Sequence, residues 1–218
     1  MIKVTDAVQS IIKGDEVALE ALRFGILNLS AYAAKIHPTV ETVALKSIKR
    51  GTIVVALSRL IKRLEPVASL KPHVIIDDIS IKSPLCELTY EKTEDVLRSA
   101  ATLQILSQTK NDFFTMTQGL GELTIICTQA AREGIITHLK TAMKAQYNHL
   151  VSVTVRFSEK NYIEVPNVIY VFVSALAARR INIIEIVSTY TELSFIVKRQ
   201  DMERTLAALD SYFQKSTP

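Results

Sequence analysis

An internal repeat restricts the fold of this chain more than any other feature of the sequence. The segment Glu122-Leu123-Thr124-Ile125-Ile126 aligns without a gap with Glu192-Leu193-Ser194-Phe195-Ile196, so the offset is 192 − 122 = 70. At the same offset Leu103 meets Val173, Leu106 meets Leu176, Asp112 meets Asn182, Ile136 meets Leu206 and Leu139 meets Leu209. Self-similarity at a fixed period is typical of a duplicated structural module. The C-terminal two-thirds of the chain is therefore expected to contain two copies of one small domain.

Hydrophobic periodicity predicts the order of elements within each copy. Alternating apolar residues predict a β-region that begins at 74–81, followed by strands at 113–117, 123–127, 151–157, 183–187 and 193–197. Helical spacing predicts helices at 95–107, 130–143, 167–178 and 201–213. Each copy then reads strand, helix, hairpin, helix, so the expected fold class is α+β with two ferredoxin-like βαββα units. The strand at 151–157 could close the first unit or open the second.

The segment 1–65 reads as helical throughout. Asp15 is suited to cap one helix, and Asn28 a second one that stops at His37-Pro38, because the residue before a proline disfavours helix. Thr39 is suited to cap a short third helix, and a longer one follows over 52–64. The expected domains are a helical domain at 1–65, a linker at 66–73, a first unit at 74–146 and a second unit at 147–218.

Composition bounds the class of protein. Hydrophobic residues make up 48% of the chain and charged residues 22%, which is ordinary for a globular protein. The N-terminus lacks the pattern of a signal peptide, and the apolar run at 168–178 is too short to cross a bilayer, so a cytoplasmic protein without a membrane partner is expected. Cys86 and Cys127 fit no metal or redox spacing and are expected to be buried free thiols.

Motifs of enzymes and metal proteins are missing from the sequence. The histidines share no ligand spacing, Gly119-Leu120-Gly121 lacks the third glycine of a nucleotide fingerprint, and no Gly-x-Ser-x-Gly segment occurs. Glu122 and Glu192 are expected at solvent-facing strand positions rather than as an acid/base pair. We therefore nominate no catalytic residue, metal ligand or cofactor, and expect a protein that is not an enzyme.

The second copy resembles an ACT domain, most of all those at the C-terminal end of aspartate kinases. The segments that carry the resemblance are Val165-Pro166-Asn167-Val168, Ser174-Ala175-Leu176-Ala177, Arg180-Ile181-Asn182-Ile183, the stretch 188–197 and the stretch 201–209. The first copy is a weaker match over 74–143. Two features depart from the family pattern: Asn167 stands where glycine is usual, and the chain ends before the fourth strand of the second module. No kinase catalytic domain is recognisable.

The resemblance implies that the two units pair and bind a small effector, often an amino acid, at their interface. The effector carboxylate needs backbone N–H groups at a helix start, and its ammonium needs a polar acceptor. The candidate ligand-binding residues are Val165, Pro166, Asn167, Val168, Asn182, Ile183, Ser188 and Thr189, with Asp112 and Gln118 at matching positions of the first unit. An ordinary turn role for Asn182, and hairpin polarity for Ser188 and Thr189, remain alternatives.

The basic excess of the chain lies in its N-terminal third. Residues 1–65 hold ten Lys and Arg against six Asp and Glu, a difference of +4, whereas the remainder is neutral. The candidate phosphate-binding residues are Lys46, Lys49, Arg50, Arg59, Lys62 and Arg63, along and around the last helix. The segment from Asn28 onwards could form a helix-turn-helix with a proline turn, which makes DNA a candidate partner. A solvated face on a helical bundle is the alternative.

These patterns favour a regulatory protein that senses a small molecule and forms a homodimer. Its output would be transcription or the control of a partner enzyme. A dimerisation scaffold that binds no effector is the alternative from a different class.

Overall fold

The structure is a computed structural model that describes residues 2–64, 71–106, 113–157 and 165–212. The chain divides into two compact units, Met1–Leu70 and Lys71–Pro218. The described residues of the first unit, 2–64, contain helices only, and those of the second contain a β-sheet with helices. Each unit is described by itself below.

Four helices make up the first unit. They are α1 (Val4–Lys13), α2 (Glu16–Arg23), α3 (Leu29–Ala44) and α4 (Arg50–Ile61). Asp15 caps α2 as expected, because its carboxylate accepts a hydrogen bond of 3.0 Å from the Ala18 N–H. Asn28 caps α3 in the same way through the Ala31 N–H. One apolar face of each helix packs into a shared core.

The expected break at His37-Pro38 is wrong, since α3 continues through Pro38 to Ala44. Proline removes one backbone hydrogen bond and usually breaks a helix. Here Pro38 lies on the exposed side, where water can satisfy the carbonyl that loses its partner, while Ile36 and Val40 are buried on the other side. Packing of that continuous apolar face overrides the local signal. Thr39 therefore caps no third helix, and the proline turn of the expected helix-turn-helix does not exist.

The second unit alternates strands and helices. Its elements are β1 (Asp78–Glu91), α5 (Glu94–Leu106), β2 (Phe114–Gln118), β3 (Glu122–Thr128), α6 (Arg132–Leu139), β4 (Ala145–Arg156), α7 (Val168–Ala178), β5 (Ile183–Ser188), β6 (Glu192–Lys198), a 3-10 turn (Arg199–Asp201) and α8 (Met202–Asp210). The starts of β3 and β6, at 122 and 192, and those of α6 and α8, at 132 and 202, keep the offset of the sequence repeat. The expected α+β class, with helices followed by an antiparallel sheet, is confirmed.

All six strands form one sheet, in the order β2-β3-β1-β4-β6-β5, with every neighbouring pair antiparallel. The two halves of the sheet meet where β1 pairs with β4. The strand expected at 151–157 belongs to β4, which is hydrogen bonded both to β1 of the first half and to β6 of the second. It is therefore shared between the halves.

The pairing registers reveal which residues of β1 and β4 correspond. In the first half Leu88 pairs with Ile125. In the second half Val153 pairs with Phe195, which is the repeat equivalent of Ile125. Leu88 and Val153 are thus equivalent, and the offset between β1 and β4 is 153 − 88 = 65.

At this offset Leu85 is equivalent to Leu150, and these two residues pair with each other across β1 and β4. A residue paired with its own equivalent marks a two-fold relation between the halves. A register shift flanks the pair on each side, one next to Ser83-Pro84 and one next to Asn148-His149. Leu85 and Leu150 are buried together with the equivalent pair Ile126 and Ile196.

The helices pack on one face of the sheet. In the first half, Cys86, Leu88 and Tyr90 of β1 are buried with residues of α5 and α6. In the second half, alternate residues of β4 and β6 are buried with α7 and α8, and Phe172 contacts three other aromatic rings at centroid distances of 5.2–6.3 Å. Because strand side chains alternate, the residues between these positions lie on the opposite face.

Candidate functional site at the start of helix α7

The segment Val165–Val168 leads into α7 and has an unusual backbone. Asn167 is the residue before the helix and has φ 70° and ψ 12°, in the left-handed region. Glycine is favoured there and asparagine is the next best tolerated, which explains how Asn167 replaces the glycine usual in ACT domains. Pro166 and Asn167 are exposed, whereas Val168 is buried. The left-handed turn before α7 is thus one that asparagine can adopt.

This helix start offers backbone N–H groups to a ligand. The first hydrogen bond of α7 is donated by the Val171 N–H to the carbonyl oxygen of Asn167, at 3.1 Å. The N–H groups of Val168, Ile169 and Tyr170 precede it, so helix geometry leaves them without an intrahelical acceptor. Together with the helix dipole, such groups favour a carboxylate or another anion.

The hairpin with Ser188 and Thr189 lies at the same end of the sheet as this helix start. Ser188 pairs with Leu193, which pairs in turn with Val155 near the end of β4. The Phe157 N–H then donates to the Thr191 carbonyl oxygen at 2.9 Å, so the chain leaves β4 beside the hairpin. Both hydroxyl side chains are exposed.

Asn182 and Ile183 lie at the opposite end of the same elements. Helix α7 has 11 residues, which separates Val168 from its far end by roughly 16 Å at 1.5 Å per residue. Asn182 follows that far end and precedes β5, whose six residues run back towards Ser188. The structure therefore places Val165–Val168 at the same end of the sheet as Ser188 and Thr189, and it places Asn182 and Ile183 at the opposite end. Gln118 ends β2 in the first half, and Asp112 lies outside the described residues.

The six candidate phosphate-binding cations are all exposed. Lys46, Lys49 and Arg50 lie at the start of α4, and Arg59, Lys62 and Arg63 lie at its end. Within residues 2–64, none of the six forms an ion pair with a carboxylate. Two cationic groups thus lie at the ends of a 12-residue helix, roughly 18 Å long. The connection between α3 and α4 is held by His37 and Glu41, whose side chains contact the backbone of Ile48.

Sequence reasoning missed a row of buried polar side chains on the sheet face opposite the helices. Hydroxyl groups connect Thr89 with Thr124 at 3.2 Å, and Thr154 with Ser152 and Ser194 at 3.0 and 2.7 Å. Alternation of strand residues could have placed them on one face, but only the strand order makes them neighbours.

Glu87 lies on this same face and is only 5% exposed, with its Oε2 atom buried and lacking a hydrogen-bond partner among the described residues. Burial, with a smaller contribution from the charge of Glu185, raises the pKa of Glu87 to about 7. This carboxyl group therefore titrates near neutral pH.

A second feature missed from the sequence is the juxtaposition of the two cysteines. Cys86 and Cys127 are free and buried, as expected, but their Sγ atoms are only 3.5 Å apart. They occupy directly opposite positions of β1 and β3. Their wide separation along the chain gave no indication of this contact.

A cavity of about 700 Å³ opens beside the irregular part of β4. It is lined by Asn148, His149, Lys198, Arg199, Gln200, Met202 and Glu203. The guanidinium of Arg199 also donates to the Ser83 hydroxyl at 3.0 Å, which links the 3-10 turn to β1. No candidate residue from the sequence lies in this lining.

Two further findings concern the described residues as a whole. They include no group of three or more His, Cys, Asp or Glu side chains arranged to hold a metal ion. None of their helices has the length and apolar character needed to span a membrane.

The second unit thus has an α+β fold, in which helices cover one face of a six-stranded antiparallel sheet. Solved structures share this fold. The chain is similar to the aspartate kinase of Clostridium acetobutylicum, described as an allosteric enzyme, with a TM-score of 0.53 and 14% identity over 66% of this chain and 36% of that chain. It is also similar to the ligand-free regulatory subunit of aspartate kinase from Thermus thermophilus, with a TM-score of 0.51 and 14% identity over 66% of this chain and 100% of that chain.

A third similar structure, of aspartokinase alpha and beta subunits, has a TM-score of 0.52 and 11% identity over 63% of this chain and 97% of that chain. This chain thus spans about a third of the Clostridium enzyme and the whole length of the Thermus regulatory subunit. No protein-family model and no curated protein sequence matches it. At these identities the likeness shows the fold.

Proposed function

We propose that this protein is a non-catalytic regulator that binds a small effector, an amino acid, through its ACT-like unit. The observation that carries the proposal is the start of α7, where Asn167 holds the left-handed turn and the N–H groups of the first helical turn have no intrahelical acceptor. Such a helix start favours an anion, and a carboxylate is one that every amino acid carries. The likeness to a regulatory subunit over its entire length supports a regulatory role.

A single chain cannot supply all the candidate residues to one amino acid. Val168 and Asn182 are separated by the length of α7, roughly 16 Å, which exceeds the reach of a free amino acid. Within one chain, Ser188 and Thr189 can contact the same ligand as the helix start, but Asn182 and Ile183 cannot. If all the candidate residues contact one ligand, Asn182 and Ile183 must come from a different molecule than the helix start and the hairpin.

We infer that this other molecule is a second copy of the chain. Strand β5 is an edge of the sheet, and Ile186 and Tyr190 expose 39% and 62% of their surface there. A two-fold axis beside this edge would pair β5 with its copy in antiparallel orientation. The start of one β5 would then lie next to the end of the other. Asn182 and Ile183 of one copy would thereby approach Val165–Val168, Ser188 and Thr189 of the other.

A thermal-shift screen of the full chain against the twenty amino acids tests effector binding. At about 100 times the dissociation constant, a ligand stabilises the folded state by roughly 2.7 kcal/mol. For a chain of this size, that corresponds to a shift of about 5–10 °C in the melting temperature. Asn182→Ala and Ser188→Ala should each reduce the shift, and the matched control Gln129→Ala, an exposed amide elsewhere in the unit, should not. Equal shifts in wild type and Asn182→Ala would refute this placement.

Mixing the two variants tests whether the site is shared between copies. In a heterodimer of Asn182→Ala and Ser188→Ala chains, one of the two sites has both side chains intact and the other lacks both. After random exchange, about a quarter of all sites should regain wild-type affinity, measured by titration of the mixture. If the mixture binds no better than either variant alone, the site is not completed by a second copy. A dimer with no ligand response at all would favour a dimerisation scaffold.

The N-terminal unit has a second candidate function, binding of DNA through the connected helices α3 and α4. The observation in its favour is that all six candidate cations are exposed and unpaired with acidic residues within 2–64. A short segment connects the two helices, as in a helix-turn-helix without the proline turn. Affinity for duplex DNA should then fall steeply as salt rises, and Arg59→Gln should reduce the salt slope by about one. The absence of binding at low ionic strength would refute it.

A further inference from the structure

The paired cysteines of β1 and β3 carry an inference that is independent of effector binding. Cys86 and Cys127 are directly opposite each other in an antiparallel ladder, and both have 0% exposure. Their side chains point to the helix-covered face, in the core formed with α5 and α6. The Sγ atoms are 3.5 Å apart and share a hydrogen bond.

The backbone around the pair already has the spacing of a disulfide. Opposite residues of antiparallel strands have Cα atoms roughly 4.5 or 5.5 Å apart, and disulfides span Cα separations of about 4.4–6.8 Å. The Cα spacing of this pair therefore suits a disulfide, and the sulfur atoms must approach by roughly 1.5 Å from their separation of 3.5 Å. Cysteine pairs whose Cα atoms are farther apart than this range can form a disulfide only if the backbone moves.

The surroundings of the pair distinguish the two thiols. The hydrogen bond with Cys127 lowers the pKa of Cys86, and the nearby Arg132 guanidinium lowers it further against the cost of burial. The same hydrogen bond raises the pKa of Cys127. Arg132 is held in place by a 3.1 Å hydrogen bond to the Gln146 side chain, and its Nε atom is buried without a partner among the described residues. These pKa directions favour Cys86 as the nucleophile and Cys127 as the partner thiol.

We propose that Cys86 and Cys127 form a redox modification site, which a small hydroperoxide converts to a cross-strand disulfide. The Cys86 sulfur attacks the terminal peroxide oxygen, the O–O bond breaks and Cys86 becomes a sulfenic acid, while the leaving oxygen takes the Cys86 thiol proton and departs as an alcohol, or as water from hydrogen peroxide. The Cys127 sulfur then attacks the Cys86 sulfur, the S–O bond breaks, and the sulfenic oxygen leaves as water with the Cys127 proton. The two thiols lose two electrons and the peroxide gains them.

Complete burial selects the oxidant by size. Hydrogen peroxide is little larger than water and can enter through small openings of the native core, whereas a bulky aromatic disulfide reagent cannot. The disulfide would close the loop 86–127 and tie β1 to β3. Because β1 also pairs with β4, the bond would restrain the strand on which both halves of the sheet depend.

Mass spectrometry of the full chain after hydrogen peroxide treatment tests the proposal. We expect the loss of two hydrogen atoms, a peptide that links Cys86 to Cys127, and a fall from two to zero thiols titrated after denaturation. A bulky aromatic disulfide reagent, which is too large to enter the core, should leave both thiols intact in the native protein. The variants Cys86→Ser and Cys127→Ser should give no linked peptide, and Arg132→Gln should slow its formation and shift the pH dependence of the rate upwards.

Three results would overturn the proposal. The first is retention of both thiols under peroxide that oxidises the same protein in urea. The second is a product that carries added oxygen without the link. The third is a link that forms only in urea, which would mean that native geometry plays no part. Circular dichroism of Cys86→Ser and Cys127→Ser separates a failure to fold from a failure to react.

Discussion

Replacing Glu87 by glutamine removes a carboxyl group that the fold holds in an unfavourable place. The side chain is buried on the face of β1 opposite the helices, and its Oε2 atom has no hydrogen-bond partner among the described residues. Glutamine has nearly the same shape but carries no charge. The substitution therefore removes the cost of ionising a buried carboxylate and leaves the packing intact.

The size of the effect follows from the pKa of Glu87, which is about 7 in the folded protein against an ordinary value of 4.5. A difference of one pKa unit corresponds to about 1.36 kcal/mol, so 7 − 4.5 gives about 3 kcal/mol as an upper estimate. Because the folded pKa is raised, the folded state binds more protons than the unfolded state between pH 4.5 and 7. The free energy of unfolding must then fall as pH rises through this window and stay level above it.

Urea denaturation of wild type and Glu87→Gln at intervals from about pH 4.5 to 8 measures this dependence. The variant should be more stable than wild type at the alkaline end, by at most about 3 kcal/mol, and the difference should shrink towards the acidic end. Glu185→Gln, which removes the smaller cause of the shift, should give a weaker effect in the same direction. Glu192→Gln, at an exposed strand position, serves as the control. A stability difference that does not change with pH would refute the reasoning.

Three other substitutions probe single features of the fold by changes in the free energy of unfolding. Asn167→Ala should destabilise the protein by about 1–2 kcal/mol, because alanine tolerates the left-handed turn poorly, whereas Asn167→Gly should not. Asp15→Ala should lower the free energy of unfolding by about 1 kcal/mol because it removes the cap of α2, whereas Asp15→Asn should keep most of the stabilisation that the cap provides. Leu150→Ala should cost about 2–5 kcal/mol by leaving a cavity between the halves of the sheet. Wild-type stability in any alanine variant would contradict the corresponding contact.

The repeat correctly predicted part of the correspondence between the two halves of the sheet. The aligned segments at 122 and 192 are the first residues of β3 and β6, which lie inside the sheet, and the helices that follow them keep the same offset. Asp15 and Asn28 were readable as caps because capping depends on residues three positions apart. Local signals of this kind survive in the structure when no stronger tertiary contact opposes them.

Features set by distant contacts could not be read from the sequence. Pro38 looked like a helix end, but the packing of Ile36 and Val40 carries α3 past it. Strand β1 was recognised only at its start, because Pro84 is unusual inside a strand and the register shift that accommodates it depends on β4. The meeting of Cys86 with Cys127 likewise depends on the register between β1 and β3.

The separation of Asn182 from the start of α7 was within reach of sequence reasoning. A helix with the 11 residues of α7 is roughly 16 Å long, so residues that flank it cannot contact one small molecule. The ACT resemblance grouped these residues because it compares positions along the chain. Our proposal therefore assigns the two groups of residues to two copies of the chain.

Isothermal titration calorimetry of the full chain with the twenty amino acids tests the central claim most directly. If the protein is an amino-acid sensor, at least one of them should give a saturable isotherm with one ligand bound per chain, and Asn182→Ala should weaken it at least tenfold. Heats of dilution alone for all twenty, at protein concentrations where the chain is folded and dimeric, would contradict the account.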